Sequence, residues 1–389
     1  MSESGMLKTL RAQARDLGRR LGEELHELDE TAAAKRALQA VAEADLTRWT
    51  VPETHGGAAN GGLTKPELVS VRALSELRDE LAYHSGMLDV MLVMQGLGSF
   101  PIALGGTDAL RRSVLPRVAQ GKSIAAFALT EPGAGSSLGD VATRAERSGK
   151  RWRLDGRKTF ISNAGIADVY CVLVRTSGEV GDGGDGTLSM FYVPADTPGL
   201  SCQRFEVMAP HPIGDVVFDG VELEDDCLLG EEGRGLELAL STLGRFRTSV
   251  AAAACGFARR ALDESKQRLS EREQFGRPLS SFQALRFDVA EMDVRLRASQ
   301  LLVDEAAAAV DAERDATLEV ARAKLYATES ASYICDRAVQ HFGGLGVKRG
   351  TVVERLFRDV RALRIYEGTS EVQKLVLAKG LLSKRTGGR

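Results

Sequence analysis

The chain has 389 residues, of which 43% are hydrophobic and 27% charged, values that are ordinary for a globular protein and exclude the disordered and fibrous classes. Its 51 Lys and Arg residues against 54 Asp and Glu give a net charge of −3, so it lacks the concentrated basic surface that nucleic-acid binding requires. Its five cysteines form no CxxC pair and its five histidines form no HExxH motif. We therefore expect reduced thiols and no protein-bound catalytic metal.

The N-terminal segment carries charged residues throughout, so it lacks the apolar core of a signal peptide. The longest apolar stretch, residues 90–105, is interrupted by Gln95, Ser99 and Pro101, and we expect it to be too short to cross a bilayer. These observations predict a cytoplasmic protein with no membrane partner.

Helical periodicity dominates residues 1–122, which are predicted to form an N-terminal helical domain. Leu7, Leu10, Leu17 and Leu21 recur among charged residues, and a second helical block is predicted over residues 65–80. Residues 90–97 are apolar on more than one face, as in a helix that is buried in the core or forms a wall of a substrate pocket.

Short β-like runs characterise residues 123–233, which are predicted to form a compact β domain. The runs cover residues 124–129, 152–154, 169–174, 188–193 and 216–221. The glycine-rich residues 178–186 lack EF-hand spacing and are not followed by a helix, so they predict an exposed hairpin loop.

Long helices return over residues 234–389, which are predicted to form an antiparallel bundle. Alanine-rich helical blocks cover residues 236–271, 282–312 and 315–340, and shorter ones cover 352–362 and 370–382. The order of helices, sheet and helices indicates an α+β fold that is mostly α, with no doubly wound sheet.

Two segments combine glycine with polar side chains. The first, residues 129–136, leaves a predicted strand and turns through Pro132, Gly133 and Gly135, so a ligand could approach its backbone closely. It matches neither the GxGxxG fingerprint nor a Walker loop.

The second segment, residues 365–373, ends one helix and starts another. Ser370 is predicted as the N-cap, with Gln373 completing a capping box and Glu371 favoured by the helix start. Glu367 lies in the turn, where helix geometry does not explain a carboxylate. Beside apolar groups it would have a raised pKa and suit a general base, whereas a solvated surface charge is the other interpretation of a single loop glutamate.

Five ordered motifs resemble the acyl-CoA dehydrogenase flavoprotein family along nearly the whole chain. They are residues 125–136 (AAFALTEPGAGS), 158–164 (KTFISNA), 272–283 (REQFGRPLSSFQ), 340–344 (QHFGG) and 366–371 (YEGTSE). The resemblance implies a helical N-terminal domain, a central β-barrel-like domain, a C-terminal four-helix bundle, bound FAD and a homotetramer or dimer.

The resemblance also implies cofactor contacts. Those expected near the isoalloxazine and ribityl chain are Phe127, Leu129, Thr130, Gly135, Ser136, Phe160, Ile161 and Ser162; those expected from a neighbouring subunit are Arg272, Phe275, Gln283, Gln340, Gly343 and Gly344. Thr369 and Glu371 are expected to meet the same cofactor.

The implied reaction is the oxidation of an acyl thioester to the trans-2-enoyl thioester, with Glu367 taking the α-proton and the β-hydrogen leaving as hydride. Substrate contacts are expected at Ser136, Phe246, Arg247, Tyr366 and Gly368. Some branched-chain members place the carboxylate just before the arginine that is here Arg247. This chain has Phe246 there, which leaves Glu367 as the base. An electron-transferring flavoprotein is the expected acceptor.

Departures from the family pattern keep alternatives open. Gly244 stands where an acidic residue is common, and residues 208–214 are unlike the usual loop. The substrate is therefore expected to be an acyl-CoA, with an acyl-carrier-protein thioester as the alternative. An oxidase or flavin hydroxylase of the same fold is a further alternative. A non-enzymatic binding relative would show a missing base or a basic patch, and neither is present.

Overall fold

The computed structural model describes residues 3–383. Residues 1–2 and 384–389, the outermost residues of the two predicted terminal domains, lie outside the described range. A helical N-terminal part is followed by a sheet and then by a second helical part, which confirms the predicted fold class. The N-terminal helices are α1 (Glu3–Leu21), α2 (Glu30–Glu43), α3 (Val71–His84), α4 (Gly86–Gly105) and α5 (Asp108–Ala119).

Helix α3 begins six residues later than the periodicity predicted, because its start is fixed by a distant side chain. Ser70 caps the helix by accepting from the N–H of Ala73, and Asp311 accepts from the N–H groups of Val71 and Arg72. A carboxylate so far along the sequence leaves no local signal at residue 70, so the predicted start at residue 65 is wrong.

Helix α4 is the apolar segment expected to be too short for a membrane, and that expectation is wrong on length. It runs for 20 residues, and its most apolar 18-residue stretch has a mean hydropathy of 1.6, so it is long and apolar enough to span a bilayer. The interrupting polar groups bond within the helix, since Gln95 donates to Met91 O and Ser99 donates to Gln95 O. In the structure 78% of its most apolar window is buried inside the protein, so α4 packs as a core helix.

Two glycines set how closely α4 packs against its neighbours. A Cβ on Gly96 would lie 2.3 Å from the ring of Phe246, and one on Gly98 would lie 2.6 Å from the backbone nitrogen of Ala126. The second contact is with backbone atoms, which cannot rotate away. Helix α4 can therefore lie against the strand that contains Ala126 only with glycine at residue 98.

We expect Gly98→Ala to lower the free energy of unfolding by about 1–3 kcal/mol, the usual range for an overpacked core. The matched control is Gly244→Ala, also in a helix, where a Cβ meets nothing within 4 Å and alanine should stabilise the helix instead. Urea unfolding of both variants measures the difference. A Gly98→Ala protein as stable as the unsubstituted chain would show that the strand moves to accommodate the methyl group.

The central sheet has the strand order β6-β7-β3-β2-β4-β5-β8, with β1 parallel to β4. The strands are β1 (Ala125–Ala128), β2 (Arg144–Ser148), β3 (Arg151–Ser162), β4 (Val169–Arg175), β5 (Leu188–Pro194), β6 (Leu200–Arg204), β7 (Ile213–Glu224) and β8 (Leu228–Leu229). Strands β4 and β5 pair antiparallel on either side of residues 178–186, which confirms the predicted hairpin. Asp182 organises that loop by accepting from Arg175 and from the N–H of Gly184.

Strand β3 is much longer than the predicted run of residues 152–154, because two irregularities hide it in the sequence pattern. Its register against β7 shifts between Leu154 and Gly156 and again between Lys158 and Ile161. Gly156 has φ +147° and Phe160 has φ 55°, so the alternation of buried and exposed residues is broken twice.

The C-terminal part is built from long packed helices. They are α6 (Gly235–Glu271), α7 (Gln283–Asp311), α8 (Thr317–Phe342), α9 (Val352–Leu363) and α10 (Ser370–Leu382), with the small hairpin β9 (Glu273–Gln274) and β10 (Arg277–Pro278) between α6 and α7. The alanines at residues 251–254 are fully buried, so this part of α6 packs closely against its neighbours. These bounds agree closely with the predicted blocks.

Candidate active site

The turn between α9 and α10 has an unusual backbone conformation. Glu367 has φ 51° and Gly368 has φ 96°, both in the left-handed region. The φ of Gly368 is one that residues with a Cβ rarely adopt, so the backbone conformation favours glycine there. Thr369, and not Ser370 as predicted, is the N-cap of α10, because its hydroxyl accepts from the N–H of Val372 while Ser370 donates to Glu329.

The carboxylate of Glu367 is held without its full set of partners. The side chain is half-buried, and its Oε2 atom is buried with no hydrogen bond. Burial raises the pKa of Glu367, while the charges of Arg78, Arg247 and Lys324 act to lower it. An unpaired carboxylate oxygen with a raised pKa is what a general base needs in order to accept a proton from carbon.

Two cations fix the backbone that carries this carboxylate. Arg247 on α6 donates through Nε to the carbonyl of Glu367 at 2.7 Å, and Lys324 on α8 donates through Nζ to the carbonyl of Gly368 at 2.6 Å. Arg247 was predicted to contact the substrate; that contact stays a prediction, and in the structure the side chain holds the turn. Sequence reasoning missed Lys324, because a lone lysine within an alanine-rich helix carries no motif.

A buried ion pair lies next to the same turn. Arg78 on α3 donates to both carboxylate oxygens of Asp89 on α4, at 2.7 and 2.8 Å, and to Ser249 at 2.9 Å. Its charge favours the ionised forms of Tyr366 and Glu367, although burial raises the pKa of Tyr366 overall. Sequence reasoning also missed Arg78 and Asp89, because they lie on separate helices and pair only in the folded chain.

We expect Lys324→Met to move the acid limb of the kcat/KM profile to higher pH, because it removes a charge that lowers the pKa of Glu367. Lys324→Arg keeps the charge and should restore the profile, and the exposed Lys379→Met should leave it unchanged. The measurement is kcat/KM against pH for the three variants. An acid limb that stays in place in Lys324→Met would show that the charge of Lys324 does not affect the pKa of Glu367.

The two segments predicted to contact the flavin ring lie next to each other. The carbonyl of Thr130 accepts from the N–H of Thr159 at 2.9 Å, which ties the loop after β1 to strand β3. Lys158 on β3 is fully buried and donates to Leu129 O at 3.0 Å and to Glu131 at 2.7 Å. Burial lowers the pKa of Lys158 to about 8, while Glu131 opposes that shift.

The predicted residues of this region differ in exposure. Leu129 and Ile161 are buried. Phe127, Thr130 and Ser162 are half-buried, and Gly135, Ser136 and Phe160 are exposed. Phe160 is 60% exposed and leans edge-on against Phe205. A Cβ on Gly133 or Gly135 would meet nothing within 4 Å, so the loop backbone is open to a ligand.

A second predicted group lies elsewhere in the chain. Arg272, Phe275, Gln283, Gln340, Gly343 and Gly344 are all exposed and gather where α6 and α8 end and α7 begins. Arg272 lies roughly 37 Å from Arg247 along α6 at 1.5 Å per residue. The chain therefore does not bring this group together with the turn that carries Glu367.

The remaining predicted residues have positions of their own. Tyr366 and Gly368 flank Glu367 in the turn, and Thr369 and Glu371 begin α10, where Thr369 is occupied as the N-cap. Phe246 is fully buried and packs edge-on against Phe100, and its predicted substrate contact stays a prediction. Residues 3–383 contain no cluster of His, Cys, Asp and Glu able to hold a metal ion.

The loop after β1 and the end of β3 fit a flavin. They present an exposed aromatic ring at Phe160, open glycine backbone at Gly133 and Gly135, and a hydroxyl at Ser162, a combination that suits a large planar ring with polar edges. The unpaired Oε2 of Glu367 is an acid–base group on a different part of the chain.

Family models match most of the chain. The model for the N-terminal domain of acyl-CoA dehydrogenase matches residues 6–122, the middle-domain model matches 126–221, and the C-terminal-domain model matches 233–382.

Individual proteins are similar over much of their length. The 3-(aryl)acrylate reductase of Clostridium sporogenes is 37% identical over 92% of this chain and 93% of its own. The caffeyl-CoA reductase-Etf complex subunit CarC of Acetobacterium woodii is 38% identical over 79% of this chain and 81% of its own. The solved structure of a glutaryl-CoA dehydrogenase from Mycobacterium smegmatis in complex with FADH2 is 27% identical, with a TM-score of 0.86 over 97% of this chain and 95% of that one.

Proposed function

Because the chain belongs to the acyl-CoA dehydrogenase family of flavin-dependent oxidoreductases, we propose that it oxidises an acyl-CoA to the trans-2-enoyl thioester, with Glu367 as the base. The family, the fold and the enzyme class predicted from the sequence are confirmed. The single observation that carries the assignment of the base is the buried, unpaired Oε2 of Glu367 in a turn whose carbonyls are anchored by Arg247 and Lys324.

The chain's residues act on the thioester through Glu367. Its carboxylate takes the proton from the α-carbon, and the electron pair of that C–H bond forms the new double bond as the β-C–H bond breaks. FAD supplies the acceptor for the hydride that leaves the β-carbon. The raised pKa of Glu367 makes it a stronger base than a glutamate in water, and the anchored backbone holds it in one position while the proton moves.

The flavin is proposed to be FAD, held by two chains of a homotetramer or dimer. Phe160, Ser162 and the loop after β1 would hold the ring end, while the group near Arg272 would hold the adenosine end of a cofactor bound to a neighbouring subunit. The distance of that group from the catalytic turn supports this division. Phe287, Val294 and Leu301 support oligomerisation, because they lie at seven-residue spacing on one face of α7 and are 64%, 61% and 53% exposed.

The acceptor that reoxidises the flavin is proposed to be an electron-transferring flavoprotein, since the name of CarC places that relative in a complex with Etf. Molecular oxygen is the alternative acceptor, as in an oxidase or hydroxylase of the same fold. Rapid reoxidation of the reduced protein in air would favour it.

The experiment is anaerobic mixing of the flavin-loaded protein with acyl-CoA thioesters of varied length and branching, and with the matching acyl-carrier-protein thioesters. Bleaching of the flavin absorbance by an acyl-CoA, with release of the 2-enoyl product, is the expected result. Bleaching only by carrier-protein thioesters would replace the CoA proposal with the acyl-carrier-protein alternative. A flavin-loaded protein that no thioester bleaches would contradict the proposal.

Reduction of a 2-enoyl thioester by the same site is a second candidate, favoured by the reductase names of two relatives. In that direction Glu367 acts in its protonated form and gives its proton to the α-carbon. The test is to reduce the protein chemically and add cinnamoyl-CoA or crotonyl-CoA. Fast return of the oxidised absorbance would favour this direction, and no return would exclude it for these substrates.

A further inference from the structure

The end of strand β3 is supported by the loop over residues 205–212. Phe205 packs edge-on against Phe160, with ring centroids 5.2 Å apart, and the N–H of Asn163 donates to the carbonyl of Pro212 at 2.7 Å. Arg358 on α9 donates to the carbonyl of Met208 at 2.7 Å and so ties the loop to the bundle. The loop is therefore fixed against the part of β3 that carries the expected flavin contacts.

Within this loop, His211 forms a directed pair of hydrogen bonds. Its Nδ1 lies 3.0 Å from the carbonyl of Ala209, and its Nε2 lies 3.2 Å from the hydroxyl of Ser162. A carbonyl can only accept, so Nδ1 carries the proton. Burial lowers the pKa of His211, which keeps the ring neutral near pH 7 and leaves Nε2 with a lone pair. The Ser162 hydroxyl therefore donates its proton to His211.

We propose that His211 is a positioning residue which turns Ser162 into a hydrogen-bond acceptor toward the flavin ring and thereby favours the reduced cofactor. The inference rests on the proposed function, since it takes Ser162 to contact the ring. With its proton directed at Nε2, the serine oxygen offers only lone pairs to a third group. Reduction adds N–H groups to the isoalloxazine ring, and a fixed acceptor is complementary to those donors. Without His211 the hydroxyl is free to donate to the lone pairs of the oxidised ring.

The test is the midpoint potential of the bound FAD, measured by anaerobic reduction against a reference dye, in a two-by-two set of variants. Relative to the unsubstituted protein, His211→Leu should lower the potential by about 30 mV, which is a tenfold change in the equilibrium of a two-electron couple. In a Ser162→Ala background, His211→Leu should cause no further change, because the hydroxyl on which the histidine acts has been removed.

Arg358→Met is the matched control for the loop. It removes the tie between α9 and Met208 without touching Ser162 or His211, so we expect the potential to stay unchanged. A shift in Arg358→Met equal to that in His211→Leu would mean that loop support, and not the hydroxyl direction, sets the potential. An equal shift from His211→Leu with and without the serine hydroxyl would also overturn the proposal.

The failure of this inference is distinguishable from failure of the proposed function. If the unsubstituted protein binds FAD and a thioester bleaches it, while His211→Leu leaves the potential unchanged, only the inference is wrong. If no thioester bleaches the bound flavin, the proposed function is wrong whatever the potential of the variant. FAD content and the thermal unfolding midpoint of each variant show whether a shift reflects loss of the fold.

Discussion

Glu367→Gln is expected to lower the rate of flavin bleaching by about 10³- to 10⁴-fold, because glutamine has the shape of glutamate but cannot take a proton from carbon. Binding of FAD and the thermal unfolding midpoint should change little. The turn keeps both of its anchors, since Arg247 and Lys324 donate to backbone carbonyls that the substitution leaves in place.

Glu146→Gln is the matched control, because Glu146 is an exposed carboxylate on β2, outside the proposed site. It should bleach at the rate of the unsubstituted protein. Stopped-flow absorbance under anaerobic conditions measures all three proteins. Bleaching by Glu367→Gln within a few fold of the control would remove Glu367 from the reaction.

Lys158→Met is expected to lower the free energy of unfolding by about 3–5 kcal/mol, because it leaves the buried carboxylate of Glu131 without its cation. Burial alone would raise the pKa of Glu131, but Lys158 and the N–H groups of Ala142 and Thr143 hold it below its usual value. The same ion pair joins the loop after β1 to strand β3, so the variant should also lose FAD.

The Lys158 prediction is measured by urea unfolding and by the ratio of flavin to protein after gel filtration. Adding Glu131→Gln to Lys158→Met should recover part of the lost stability, since the unpaired charge is gone. Lys150→Met, at the exposed turn between β2 and β3, should change neither quantity. A Lys158→Met protein with unchanged stability and full flavin content would show that the pair does not hold the two segments together.

The main helices and most of the sheet follow from local pattern. The alanine-rich runs of α6, α7 and α8 have a helical period along their whole length, so their predicted bounds lie close to the observed ones. The start of α3 and most of β3 did not follow from pattern. The first depends on Asp311 from a distant helix, and the second contains the bulge near Gly156 and the left-handed Phe160.

In the candidate site too, some residues can be recognised from the sequence and others only from the fold. Glu367 is recognisable because it stands in a turn within a distinctive motif. Lys324, Arg78 and His211 have no motif of their own, and each acts on a group brought near only by the fold: Gly368, Asp89 and Ser162. The substrate contacts of Phe246 and Arg247 rest on resemblance and stay predictions; the structure adds that Phe246 is buried in the core and that Arg247 donates to the backbone of Glu367.

The most direct test of the central claim, that Glu367 removes the α-proton, is exchange of that proton with solvent. The flavin-loaded protein is incubated in D2O with the acyl-CoA that bleaches it, and deuterium at the α-carbon is measured by mass spectrometry. If Glu367 is the base, the unsubstituted protein incorporates deuterium and Glu367→Gln, with its flavin bound, does not. Incorporation by Glu367→Gln at the rate of the unsubstituted protein would contradict it.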